Sequence, residues 1–429
     1  MSQQHTKQPD KGLEAVAANG LLHRRLFLTG SGTLAAGLGL LSATPMAAAP
    51  LEIPDWMKAP GSHMRPYGQP SAFEDGVQRM VGGTPGVTGS GVSFTPLEKI
   101  HGTITPNGLH FERHHSGVPD IDPAQHKLLI HGLVERPLTF TMDALMRYPT
   151  VTRIQFLECS GNSGRSNLTA QPQQAPLGAL HGLVSCSEWT GIPLSVVLDE
   201  AGIKPEGKWV LAEGADAAAM SRSVPLEKIM DDAIIALYQN GERLRPENGY
   251  PMRLFLPGYE GNMSVKWLRR LKVNAAPTMT RDETSHYTDV VLGGKAKILT
   301  FPMVVKSVIT NPSPTMTLGQ TGLYEVTGLA WSGAGKITRV EVSADGGATW
   351  AEAALTEPVL SKSFTRFRIP WQWSGGPATL LSRAVDETGA MQPTRAQFVG
   401  EYGERSNYHN NTIQAWGIAA TGEVSNVLA

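Results

Sequence analysis

The chain has 429 residues, enough for two or three domains, with 41% hydrophobic residues and a formal net charge of -1. That composition excludes a disordered chain, and the near-neutral charge argues against a nucleic-acid binder, which needs a basic face. The 46 glycines and 30 prolines predict many turns and a β-rich, loop-rich architecture.

Residues 1–49 read as an export leader. His23-Arg24-Arg25-Leu26-Phe27-Leu28 carries paired arginines, a Gly-rich apolar run continues to Leu41, and Ala47-Ala48-Ala49 offers a small-residue cleavage site. The run is too short and too rich in glycine for a membrane span. Paired arginines in this setting predict the twin-arginine route, which carries folded proteins to the bacterial periplasm. Its use fits a cofactor inserted before export.

Residues 50–100 are rich in Pro, Gly and Ser, with Trp56, Tyr67 and Phe94 scattered among them. They read as an extended arm with little regular structure, able to wrap the protein or a partner. Residues 101–275 form the first full domain. Leu128-Leu129-Ile130, Trp209-Val210-Leu211, the Ile234-to-Tyr238 run and the Met252-to-Leu256 run are apolar and of strand length. Between them, Pro193 to Ala201 places Leu194, Val197 and Leu198 on one helical face. This mixture predicts an α+β domain. Residues 276–310 read as a polar connector. From residue 311 to 429 short alternating strands take over, as in Phe364-Thr365-Arg366-Phe367-Arg368-Ile369 and the turn Asp345-Gly346-Gly347 before Trp350. Strands at this spacing predict an immunoglobulin-like β-sandwich with a structural or assembly role.

The chemistry gathers in the first domain. Ile154-Gln155-Phe156-Leu157-Glu158-Cys159-Ser160-Gly161-Asn162 reads as a buried strand ending in a tight turn, with the Cys159 thiol at the strand end. A thiolate there suits a soft metal; the plain alternative is a buried structural cysteine. Cys159 and Cys186 are the two cysteines, and the sequence leaves a disulfide between them open. There is no CxxCH, CxxC or HExxH. Arg113 stands beside His114 and His115, while Arg253 and Lys266 sit in apolar surroundings. A buried cation is costly unless it meets an anion, so these three predict a pocket for a ligand such as a phosphate.

Taken together, the Cys159 turn, the block from Asn240-Gly241-Glu242 to Arg253, Pro257-Gly258, Val265-Lys266-Trp267-Leu268, Trp189-Thr190-Gly191-Ile192-Pro193-Leu194 and Asp345-Gly346-Gly347 with Trp350 resemble the sulfite oxidase family of molybdenum enzymes. The resemblance implies an α+β molybdopterin-binding domain followed by an immunoglobulin-like dimerisation domain. It implies molybdenum ligated by Cys159, and a molybdopterin held by Phe111, Glu112, Arg113, His114, His115, Asp216, Asn248, Arg253, Ser264, Val265 and Lys266. By the same resemblance Arg113 faces the substrate oxyanion and Tyr287, in Ser285-His286-Tyr287, is the active-site tyrosine. Asn248 replaces a frequent His, and Met263 a frequent Arg, so fewer fixed positive charges await a small dianion such as sulfite. The stretches from His114 to Asp120 and from Ser285 to Asp289 resemble the branch that oxidises sulfane sulfur on a carrier protein. That branch implies a c-type cytochrome subunit as electron acceptor and a heterotetramer with two copies of this chain. A periplasmic sulfite dehydrogenase acting on free sulfite is the second reading. A non-catalytic assembly module with a decayed cofactor site is the third.

Overall fold

The computed structural model describes residues 15–23, 52–164, 166 and 168–429. Arg24, Arg25 and the alanine cleavage site lie outside the described residues. Strands β1 (Met80–Gly83), β2 (Gly91–Phe94) and β3 (Glu112–His114) form a small antiparallel sheet. The first two lie in the stretch read as an arm with little regular structure. Their glycines leave no apolar alternation to read, and pairing with β3 supplies the ladder.

Next come β4 (Lys127–Gly132), β5 (Leu138–Thr141), β6 (Val151–Glu158), β7 (Val184–Pro193), β8 (Trp209–Gly214), β9 (Ser221–Pro225), β10 (Ile234–Gln239), β11 (Glu242–Arg243), β12 (Arg253–Phe255) and β13 (Leu268–Asn274). They divide into two five-stranded sheets. One runs β11-β10-β7-β6, with β12 also on β10; the other runs β5-β4-β13-β8-β9 and is mixed, because β13 runs parallel to β4. Helix α1 (Leu194–Ala201) buries Leu194, Val197, Leu198 and Ala201, the face its spacing predicted. These residues pack with Ile130, Val210, Ile235 and Leu271 into one core.

Residues 276–310 hold more structure than their polarity suggests. They include the hairpin β14 (Asp289–Val291) with β15 (Lys295–Lys297), and strand β16 (Lys306–Asn311) starts within them. The apolar pattern there begins with a buried lysine, which hid the strand. Then follow β17 (Gly322–Trp331), β18 (Ile337–Ser343), β19 (Ala351–Glu352), β20 (Ala354–Thr356), β21 (Thr365–Trp373), β22 (Ala378–Asp386), β23 (Ala415–Ile418) and β24 (Val424–Val427). Their two sheets, β16-β17-β21-β20 and β19-β18-β22-β23-β24, form the immunoglobulin-like sandwich. Its tryptophan-rich core is continuous with Phe156, Leu177, Val184 and Cys186 of the first domain. The two domains therefore share apolar packing, and the end of β6 lies against their junction.

Candidate active site

β6 pairs with β7 along its whole length, from Val151 opposite Gly191 to Glu158 opposite Val184. The chain then turns, with the Asn162 amide donating to the Cys159 carbonyl at 2.9 Å and the Cys159 amide donating to the Leu183 carbonyl at 2.9 Å. Below the turn Glu158 is fully buried. It accepts from Lys306 Nζ at 3.2 Å, from Trp331 Nε1 at 2.6 Å and from Asn162 Nδ2 at 2.9 Å. Lys306 and Trp331 lie on β16 and β17, so second-domain strands fix the turn that carries the thiol. From the same domain the His409 amide donates to the Ser160 carbonyl at 2.9 Å, and its ring bonds Glu260 at 2.7 Å.

Cys159 and Cys186 are both free thiols, which closes the disulfide alternative. Cys186 is fully buried against Ser363 Oγ at 3.3 Å and lines neither cavity of the site. Burial pushes the Cys159 thiol up to about 11, so in the bare chain it is protonated. Binding a metal would displace that proton. Among the described residues no group of three His, Cys, Asp or Glu side chains is placed to hold a metal ion.

Every residue that the resemblance assigned to the cofactor or to catalysis lines one cavity. Phe111 and Val265 form apolar wall. Asp216 accepts from the Met220 amide at 3.3 Å. At the inner end Arg253, 3% exposed, donates to the Asn248 carbonyl at 3.0 Å and the Ser264 carbonyl at 2.7 Å. Arg253 Nε and Asn248 Nδ2 are buried and have no hydrogen-bond partner. Two orphaned donors facing a cavity are what an anion would satisfy. Lys266 sits over the Trp267 ring, 4.4 Å from its centre, and donates to the Glu247 carbonyl at 3.1 Å and to His114 Nδ1 at 2.7 Å. Since Lys266 donates to Nδ1, His114 carries its proton on Nε2 and donates it to Glu112 at 2.7 Å. Burial lowers Arg253 to about 9 and, with Arg253 nearby, holds Lys266 well below an ordinary lysine. Both directions are set chiefly by burial, which Glu112, Asp216 and Glu247 offset only in part at Lys266. The residues present thus fit a molybdopterin: Arg253, Asn248 and Lys266 would hold its phosphate, and Cys159 would ligate its metal.

Arg113 does not join that inner pair. It lies at the cavity mouth, donating to Ser90 Oγ at 3.2 Å and to the His114 carbonyl. Beside it, His115 Nε2 lies 3.2 Å from the Tyr287 hydroxyl. Burial pushes the Tyr287 phenol far above its usual range and lowers His115 to about 4. Tyr287 holds a left-handed φ of 47°, with the Arg222 guanidinium 4.8 Å from its ring centre. Arg222 is itself clamped by Glu283 at 2.8 Å and Glu260 at 3.2 Å.

Arg113, His115, Cys159 and Tyr287 also border a second, outer cavity of about 490 Å³. Val92 and Phe94 of β2, Leu183, His286 and Tyr408 are among its other lining residues. Sequence reasoning missed Trp267, Tyr408, His286 and the hairpin. His286 could have been found, since it adjoins Tyr287; Tyr408 has no local motif and reaches the site only through the contact between domains. The Tyr408 ring lies 5.7 Å from that of Tyr287.

Residues 115–281 match the oxidoreductase molybdopterin binding domain, and residues 297–415 match the Mo-co oxidoreductase dimerisation domain. With the fold and the single-thiolate cavity, these matches place the chain in the sulfite oxidase family of molybdopterin oxidoreductases. Within it, the chain is similar to the sulfane dehydrogenase SoxCD of Paracoccus pantotrophus. That structure shares 46% identity and a TM-score of 0.84, over 88% of this chain and 98% of that one. It is also 33% identical over 348 residues to an NADH nitrate reductase of Solanum lycopersicum, and 34% identical over 353 residues to one of Cichorium intybus. Each match takes in 71% of this chain, and 38% and 37% of those longer relatives. The cofactor of this family is molybdopterin-bound molybdenum.

Proposed function

We propose that the chain is the molybdenum subunit of a periplasmic sulfane dehydrogenase. It oxidises a sulfane sulfur held on a carrier protein and passes the electrons to a c-type cytochrome subunit. The observation that carries this reading is the outer cavity. It opens onto Cys159 between Arg113 and Tyr287, and its further walls are largely glycine, apolar or aromatic. Free sulfite is a small dianion and calls for a cluster of cations. Among the described residues Arg113 is the one arginine lining that cavity, and Met263 is buried in the core and lines neither cavity. A cavity of this size and polarity suits a peptide-borne sulfur. The 46% identity to SoxCD supports the same choice.

In this reading the molybdenum cofactor supplies the two-electron redox chemistry and the oxygen is derived from water. Cys159 gives up its thiol proton to become a ligand. Arg253, Asn248 and Lys266 grip the pterin phosphate, while Phe111 and Val265 exclude water from its flank. The remaining named groups, from Glu112 to His115 with Asp216 and Ser264, shape the pterin cleft. Arg113 orients the oxidised end of the substrate. The Tyr287 hydroxyl, fixed by His115, donates a hydrogen bond at the reacting face.

The exposed arm supports a partner. Trp56, Met57, Tyr67 and Phe73 stand between 61% and 99% exposed, a density of solvent-facing apolar side chains that a lone protein rarely carries. The twin arginines support export in the folded state. No helix among the described residues is long and apolar enough to cross a membrane. The experiment is a steady-state comparison of free sulfite with a carrier loaded with a persulfide, cytochrome c as acceptor. Faster turnover of the loaded carrier is expected; preference for free sulfite would select the sulfite dehydrogenase reading.

A further inference from the structure

Residues 15–23, remote in sequence from the second domain, dock against the edge of its strand β21. β17 pairs with the whole inner edge of β21, but β20 covers only residues 366–368 on the outer side. Residues 15–23 lie along part of what β20 leaves open. The Leu22 amide donates to the Pro370 carbonyl at 3.0 Å, and the Gln372 amide donates to the Gly20 carbonyl at 2.8 Å. Leu21 faces Trp371 as an antiparallel bridge, and the segment folds on itself, with the Val16 amide donating to the Leu21 carbonyl at 2.9 Å.

Side chains lock the register. Trp371 Nε1 donates to the Asn19 carbonyl at 2.8 Å, Asn19 Nδ2 donates to the Ala344 carbonyl at 2.7 Å, and the Ala18 amide donates to Thr349 Oγ1 at 2.9 Å. Leu21 is fully buried in the sandwich core and Leu22 is 4% exposed. Gly20 has φ +89°, and a Cβ there would stand 2.1 Å from the Gln372 carbonyl oxygen, so only glycine fits. A chance contact of a leader with a folded domain would not need a glycine, a tryptophan donor and two buried leucines in register.

We propose that the outer edge of β21 at Pro370, Trp371 and Gln372 is a strand-binding site. Its resident ligand is the chain's own Asn19-Gly20-Leu21-Leu22 segment, taken up by strand addition. The site exists only when β17 and β21 are paired, so occupancy follows folding of the second domain. On the leader reading above, this segment immediately precedes the paired arginines and leaves with them. Removal of the leader then vacates an apolar edge able to accept another extended Gly-Leu-Leu strand.

Hydrogen exchange on the full chain tests the docking without reference to export. The Leu22 and Gln372 amides are expected to be protected, and Gly20→Val to speed their exchange by about tenfold or more while the β17–β21 ladder keeps its protection. Free-peptide exchange at Gln372 in the unaltered chain, or no change in the variant, would overturn the proposal. A synthetic peptide of residues 15–23 is then titrated into protein lacking residues 1–49. Binding that Gly20→Val weakens about tenfold is expected; no binding, or equal binding of both peptides, would overturn the vacated site. Mass spectrometry of the exported protein tests the leader reading separately: retention of residues 15–23 there would sink that reading while the docking result stands.

Discussion

Arg253 shows what one residue says about its ligand. A guanidinium that is 3% exposed, with an orphaned Nε, destabilises the chain unless an anion arrives. Arg253→Met is therefore expected to leave the cofactor-free protein as stable or up to about 1–4 kcal/mol more stable. Molybdopterin content should fall steeply in the same variant. Denaturant melts and pterin analysis check the two halves, and an unstable cofactor-free variant with full pterin content would contradict both. The two cysteines divide in the same way. Cys159→Ala should abolish turnover and retain the fold by circular dichroism, whereas Cys186→Ser, at a residue that lines neither cavity, should keep turnover.

At the scale of elements, the Cys159 turn depends on strands β16 and β17. Removing Lys306 leaves the Glu158 carboxylate buried beside Trp331 without its cation. Lys306→Met should cost about 3–5 kcal/mol of stability, the penalty of an uncompensated buried charge. Molybdenum occupancy should fall with it, since the thiol sits one residue from Glu158. The same elements mark what the sequence could and could not disclose. β6, β10, β21 and α1 were legible because their apolar periods are uninterrupted. The β1–β2 hairpin was not, since glycines carry no pattern, and β16 was masked by its leading lysine. Phe111 to His115, Cys159, Arg253 and Lys266 were legible as charges and a thiol in apolar company. Tyr408 was not, because a residue brought in by packing between domains leaves no local signature.

For the whole molecule, acid is the expected weakness. Burial lowers His110 from 6.5 to about 3 and His115 to about 4. A histidine whose folded pKa is lowered binds its proton more readily when unfolded, so its stability contribution is full above pH 6.5 and is lost as pH falls through that window. His409 acts in the opposite sense: Glu260 raises it despite burial, so its contribution is present below 6.5 and is lost as pH rises through its folded value. Burial lowers His114 and His181 in the same direction as His110 and His115, so net loss in acid is expected. His110→Phe should flatten that loss by an amount on the order of several kcal/mol at pH 3. Denaturant melts of the cofactor-free chain across pH 3 to 8 measure it, and identical pH profiles for the two proteins would contradict it.

We propose that the Cys159 sulfur completes the coordination of a molybdenum whose pterin is gripped by Arg253, Asn248 and Lys266. X-ray absorption at the molybdenum edge, on the unaltered protein and on Cys159→Ser loaded under the same conditions, tests it most directly. One thiolate sulfur fewer is expected around the metal in the variant. An unchanged sulfur shell in the variant, or no molybdenum in the unaltered protein after cofactor-competent expression, would contradict it.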